Sequence, residues 1–92
     1  MTKKQKLVEE IKSLLKASGG RVKHDIYLLR PYYKNDDDAW YGKITEMWLD
    51  KDGTPKCLIW YWGTLCTEDI STLTSTNLGF VREYLTKGYV IQ

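Results

Sequence analysis

The chain holds few side chains able to do covalent or metal chemistry, and their spacing limits what each can do. His24 is the only histidine, and Cys57 and Cys66 are the only cysteines. A Ser-His or Cys-His nucleophile needs a base beside the attacking atom, and no spacing here supplies one. A structural zinc site needs about four Cys or His ligands, more than the chain contains. His24 alternates with Val22, Ile26 and Leu28, which marks it as a strand residue in a packed or partly exposed position. Two thiols without a multi-cysteine framework are expected to be reduced and half-buried.

The carboxylates cluster twice, at Asp36-Asp37-Asp38 and at Asp50-Lys51-Asp52-Gly53. A calcium loop with Gly53 at its sixth position would put Trp48 first and Ile59 twelfth, where carboxylates are required. The triple aspartate has no second acidic cluster to close a coordination shell, so both read as solvated turns. No GxGxxG or GxxxxGK[ST] segment occurs, which removes the glycine-rich phosphate loop. The expectation is a non-enzyme without metal or cofactor.

What remains is aromatic density. Tyr32, Tyr33, Trp40, Tyr41, Trp48, Trp60, Tyr61 and Trp62 fall close together, interleaved with Lys23, Arg30, Lys34, Lys43 and Lys56. Aromatic side chains build the core of a small domain or anchor protein contacts. With basic neighbours on an open sheet they can also stack on unpaired bases, at about 1–3 kcal/mol per base. The net charge of +2 and the three aspartates within the same stretch argue against the second use. The charge is uneven, with residues 1–34 basic and residues 35–92 acidic; two solvated faces account for that.

The elements that must position these residues are legible. Ninety-two residues suit one domain, since two cores would each be too small to bury themselves. Thr2 and Gln5 form a capping-box pattern, and Leu7, Val8, Ile11, Leu14 and Leu15 recur at helical period. Gly19 and Gly20 end that helix. Arg21 to Arg30 alternates as a strand and Pro31 stops it. Strands over Trp40 to Leu49 and Thr54 to Trp62 follow, joined by Asp50-Lys51-Asp52-Gly53. After Leu73 come N-cap residue types from Thr74 to Asn77. A second amphipathic helix through Leu78, Val81 and Leu85 then runs to Lys87 and Gly88, with Gly79 read as a site of close packing. Tyr89 to Ile91 is a candidate edge strand or tail. The fold class expected is α+β: an N-terminal amphipathic helix, a three- to four-stranded antiparallel meander and a C-terminal helix.

The Asp50–Gly53 turn also predicts a register. A type I turn followed by a left-handed glycine gives a three-residue loop with a bulge, so Asp50 faces Thr54. Unbroken pairing then sets Trp48 against Lys56, Met47 against Cys57, Thr45 against Ile59 and Ile44 against Trp60. One face collects Leu49, Met47, Thr45, Cys57, Ile59 and Tyr61. The other collects Trp48, Ile44, Leu58, Trp60 and Trp62.

Two helices could cover one of these faces or straddle the sheet. If they share one face, the tryptophan face is left uncovered. The function expected is then a non-enzymatic protein-interaction or accessory module using that aromatic face, with another protein or a second copy as partner. The alternative is single-stranded nucleic-acid binding through Arg30, Tyr32, Tyr33 and Lys34 together with Trp48, Trp60 and Trp62. The N-terminal lysines and glutamates interrupt any leader-like apolar run and no stretch reaches a membrane span. A cytoplasmic location without membrane contact is the default expectation.

Overall fold

The Thr2 capping box forms as its residue types require. In the computed structural model, which describes residues 1–29, 40–61 and 63–87, the Gln5 backbone N–H donates to Thr2 Oγ1 at 3.1 Å. The Thr2 N–H donates in return to Gln5 Oε1 at 2.7 Å. This opens helix α1, Lys3–Ala17. Leu7, Ile11 and Leu15 are buried along one stripe, and the Gly20 N–H closes the end on the Leu15 carbonyl at 2.8 Å.

Four strands follow: β1 (Arg21–Leu29), β2 (Trp40–Leu49), β3 (Pro55–Tyr61) and β4 (Thr64–Asp69). They form one antiparallel sheet in the order β1-β2-β3-β4. A short 3-10 turn, Ile70–Thr72, leads to helix α2, Ser75–Lys87. The Asn77 N–H donates to Thr74 Oγ1 at 3.2 Å, so Thr74 caps α2. The fold is α+β, with the meander at four strands.

The β2–β3 turn has the geometry its residues predict. Gly53 takes φ +79°, a conformation open to glycine at little cost. Its N–H donates to the Asp50 carbonyl at 2.9 Å, and the Asp50 N–H donates to Thr54 O at 3.0 Å. Asp50 Oδ1 accepts from the Asp52 and Thr54 N–H groups, both at 2.9 Å. Trp48 accordingly pairs with Lys56 and Met47 with Cys57.

Beyond Glu46 the register departs from unbroken pairing. Glu46 opposes Leu58, but Ile44 opposes Ile59 and Lys43 opposes Trp60. Thr45 is the extra residue of a β-bulge, and its Oγ1 donates to the Leu58 carbonyl at 3.4 Å. A bulge reverses the facing of everything beyond it. Ile44 therefore leaves the tryptophan face and is fully buried beside Met47, Cys57 and Ile59, while Lys43 moves to the tryptophan face. The physical reason is burial: covering an isoleucine stabilises the fold by about 1.5–3 kcal/mol, whereas a lysine there would lose its hydration.

Both helices lie on the same side of the sheet, α2 over β1 and α1 over β2 and β3, in contact with each other. Their stripes meet Ile26, Leu28, Ile44, Met47, Cys57 and Ile59, and Ile70, Leu73, Leu78 and Val81 complete the core. Arg82 of α2 reaches Glu10 of α1 at 3.7 Å. Gly79 is not a close-packing site, because a methyl group built there would meet nothing within 4 Å.

Gly79→Ala should therefore stabilise the protein by about 0.5–1 kcal/mol, the difference in helix propensity, read as a higher urea midpoint. Ile11→Ala, at a fully buried position, should cost about 2–5 kcal/mol. Leu65→Ala, at a position 58% exposed, should cost less than about 0.5 kcal/mol, the range of ordinary surface substitutions.

Candidate functional site: the open sheet face

Strand alternation sends every second residue of the sheet away from the helices. The cross-strand pairs arrange these residues in three rows, with Asp25 standing between Lys23 and Tyr27 on β1, outside the paired rows. Tyr27, Lys43, Trp60 and Leu65 form the first, from β1 to β4. Lys23, Glu46, Leu58 and Thr67 form the second, and Arg21, Trp48, Lys56 and Asp69 the third. Among the described residues no helix covers this face. Tyr27 is 44% exposed, Trp60 43% and Leu65 58%, while Trp48 and Leu58 are half-buried.

Cations are placed against the rings. Lys43 Nζ stands 5.8 Å from the centroid of Tyr27 and 5.8 Å from that of Trp60. It also donates to Asp25 Oδ2 at 3.1 Å. That hydrogen bond, reinforced by the carboxylate charge, raises the Lys43 pKa above its ordinary value against the opposing effect of partial desolvation. Arg21 lies over the Trp48 ring at 5.3 Å and pairs with Glu46. Lys56 reaches Asp69 at 3.9 Å. Ring and cation attract through the ring quadrupole, worth about 0.5–1 kcal/mol where water has access. The face is thus aromatic and ion-paired, with carboxylates facing most of its cations.

Of the residues singled out from sequence, the structure places Trp48 and Trp60 on this face. Arg30, Tyr32, Tyr33, Lys34 and Trp62 lie outside the described residues, as do Asp36, Asp37, Asp38 and Tyr89 to Ile91. Tyr27 and Leu65 join the face without having been singled out. Tyr27 follows from the β1 alternation, and Leu65 follows once β4 is recognised as a strand opposite Trp60.

The histidine and the two cysteines lie apart from the exposed row of this face. His24 points to the helices and stacks on Tyr84 of α2, with ring centroids 4.8 Å apart. Cys57 is a free thiol buried in the core and Cys66 a free, half-buried one. Burial, and then the nearby Glu68 and Asp69 carboxylates, push the Cys57 thiol up to about 12. No group of three or more His, Cys, Asp or Glu side chains among the described residues could hold a metal ion. No helix among them is long and apolar enough to cross a membrane. The chain matches no family model, and comparison with curated proteins and with solved structures finds no match.

The thiols give a direct check. At pH 8 a disulfide-exchange reagent should titrate Cys66 alone in the folded chain and both thiols after unfolding, because the thiolate is the reactive form. The raised pKa of Cys57 has a definite sign in stability. Its contribution is fully present below the unfolded thiol value of 9.0 and is lost as pH rises toward about 12, because the unfolded chain gives up the proton first. The unfolding free energy from urea titrations should therefore fall above pH 9.0 by up to about 1.4 kcal/mol per pH unit. Cys57→Val should flatten that fall.

Proposed function

We propose that this protein is a non-enzymatic interaction module whose docking surface is the open sheet face. One observation carries the reading: both helices pack on one side of the sheet, and Tyr27, Trp60 and Leu65 stand exposed in a single row on the other. Large apolar side chains grouped on a surface mark contact sites more often than idle surface. Tyr27, Trp48, Trp60 and Arg21 are residue types enriched at interface centres. Arg21 over Trp48 and Lys43 between Tyr27 and Trp60 hold those rings in fixed orientations before a partner arrives, which lowers the entropy cost of docking.

Interleaved cations and rings also suit a single nucleic-acid strand, the second reading. Against it, Arg21, Lys43 and Lys56 already hold Glu46, Asp25 and Asp69. Phosphates would have to displace those carboxylates, and counterion release would supply little of the binding free energy.

Size-exclusion chromatography of a lysate of the cells that make the protein distinguishes these readings. The parent chain should elute well above its own mass of 10.8 kDa, insensitive to nuclease, and Trp60→Lys should elute as the free chain. Elution of the parent at its own mass, together with a purified chain that stays monomeric to millimolar concentration, would overturn the interaction reading, and collapse to that mass on nuclease treatment would transfer the assignment to nucleic acid.

A further inference from the structure

The open face has a charge pattern that complements itself about one of the two face-to-face axes. A two-fold axis parallel to the strands, between β2 and β3, lays β1 of one copy over β4 of the other and β2 over β3. It leaves positions along the strands unchanged, so the middle and third rows, evenly spaced on all four strands, each meet their own reverse, while the first row is displaced on β1 and β2 by the register shifts beside Thr45. Beside the first row Lys43 then comes near Trp60 of the second copy, Asp25 comes level with Leu65, and Tyr27 stands beyond it. In the third row Arg21 faces Asp69 and Trp48 faces Lys56. In the middle row Glu46 faces Leu58 and Lys23 faces Thr67. Every cation meets a carboxylate, a ring or a hydroxyl, and no like charges meet.

The other face-to-face two-fold axis runs across the strands. It keeps each strand over its own copy and reverses the order of the rows. The middle row then meets itself, Lys23 on Lys23 and Glu46 on Glu46. Like charges brought together in a desolvating interface cost several kcal/mol. The charge pattern therefore selects the strand-parallel axis.

We propose that the occupant of the open face is a second copy of this chain, docked face to face about that strand-parallel axis. The proposal rests on the interaction reading above and names its partner. It is an isologous contact, closed at two copies, and it uses the aligned packing in which two sheets lie about 10 Å apart with strands within about 30°. Four strands at about 4.8 Å spacing and about 3.4 Å per residue give a footprint near 400 Å² per copy. A standard interface buries about 800 Å² per partner, so the dimer belongs to the weak, concentration-dependent class. Trp60 and Trp48, each meeting a cation near the axis, supply its centre.

Two measurements test this on the purified full chain. Sedimentation velocity from micromolar to millimolar concentration should show a monomer–dimer equilibrium. Trp60→Lys, which sets ammonium against the second copy's Lys43, should weaken that equilibrium by about tenfold or more. Leu65→Glu serves the same purpose if the tryptophan variant fails to fold. Cross-linking fixes the axis. In a Cys66→Ser background, Lys23→Cys and Thr67→Cys chains treated with a short bismaleimide should give covalent dimers when mixed and none when either is treated alone. Cross-linking of Lys23→Cys with itself would overturn the assigned axis. A purified chain that stays monomeric to millimolar concentration would overturn the dimer. The interaction reading would survive that result if the parent chain still eluted from lysate in a Trp60-dependent complex, and would fall with it if not.

Discussion

The structure turns on the change of facing at Thr45. Met47 and Ile44 are an odd number of residues apart, so an unbroken β2 would send them to opposite sides. The extra residue at Thr45 brings both to the helix side, where both are fully buried. The same step carries Lys43 to the other side, between Tyr27 and Trp60. With the bulge the sheet has one apolar face for two amphipathic helices and one aromatic, charged face. Without it both faces would be mixed, and neither helix would have a continuous surface to cover.

One-sided coverage then sets the character of the molecule. The stripes of α1 and α2 meet over β1, β2 and β3, and Tyr27, Trp48 and Trp60 are left for the opposite side. Those rings are not bare hydrocarbon. Arg21 and Lys43 lie against them, each fixed by a carboxylate. Such a surface stays compatible with water as a monomer and can release its water to a matching partner. The ion pairs contribute little to stability while exposed; in the dimer proposed above their weight falls on orientation and on selecting which surface fits.

Much of this was legible in the residues. The Thr2–Gln5 box, the Leu7–Ile11–Leu15 stripe, the Asp50–Gly53 turn and the Thr74 cap are local chemistry, and each formed where its residue types placed it. The register near the turn followed from Gly53. What unbroken alternation missed was the bulge, because Thr45 is an ordinary strand residue without the glycine that often marks one. A signal was present nonetheless. Strict alternation mixes Lys43 with Met47 and Ile44 with Glu46, whereas one break at Thr45 sorts Ile44 and Met47 from Lys43, Glu46 and Trp48. Gly79 misled in the other direction, since a helix glycine suggests close packing and here meets open space. The burial of Asn77 carried no sequence mark, because a polar residue in a first turn reads equally well as solvated.

The central claim is that the tryptophan face is surface and not core in the free chain. Fluorine NMR of the protein labelled with 5-fluorotryptophan measures this residue by residue, with the Trp60 signal assigned by its loss in Trp60→Phe. In dilute protein, exchanging H2O for D2O should shift the Trp60 resonance by a substantial part of the shift shown by free 5-fluorotryptophan, in keeping with its 43% exposure. A Trp60 resonance that ignores the solvent exchange would mean that the ring is enclosed by the chain itself, and would contradict the account.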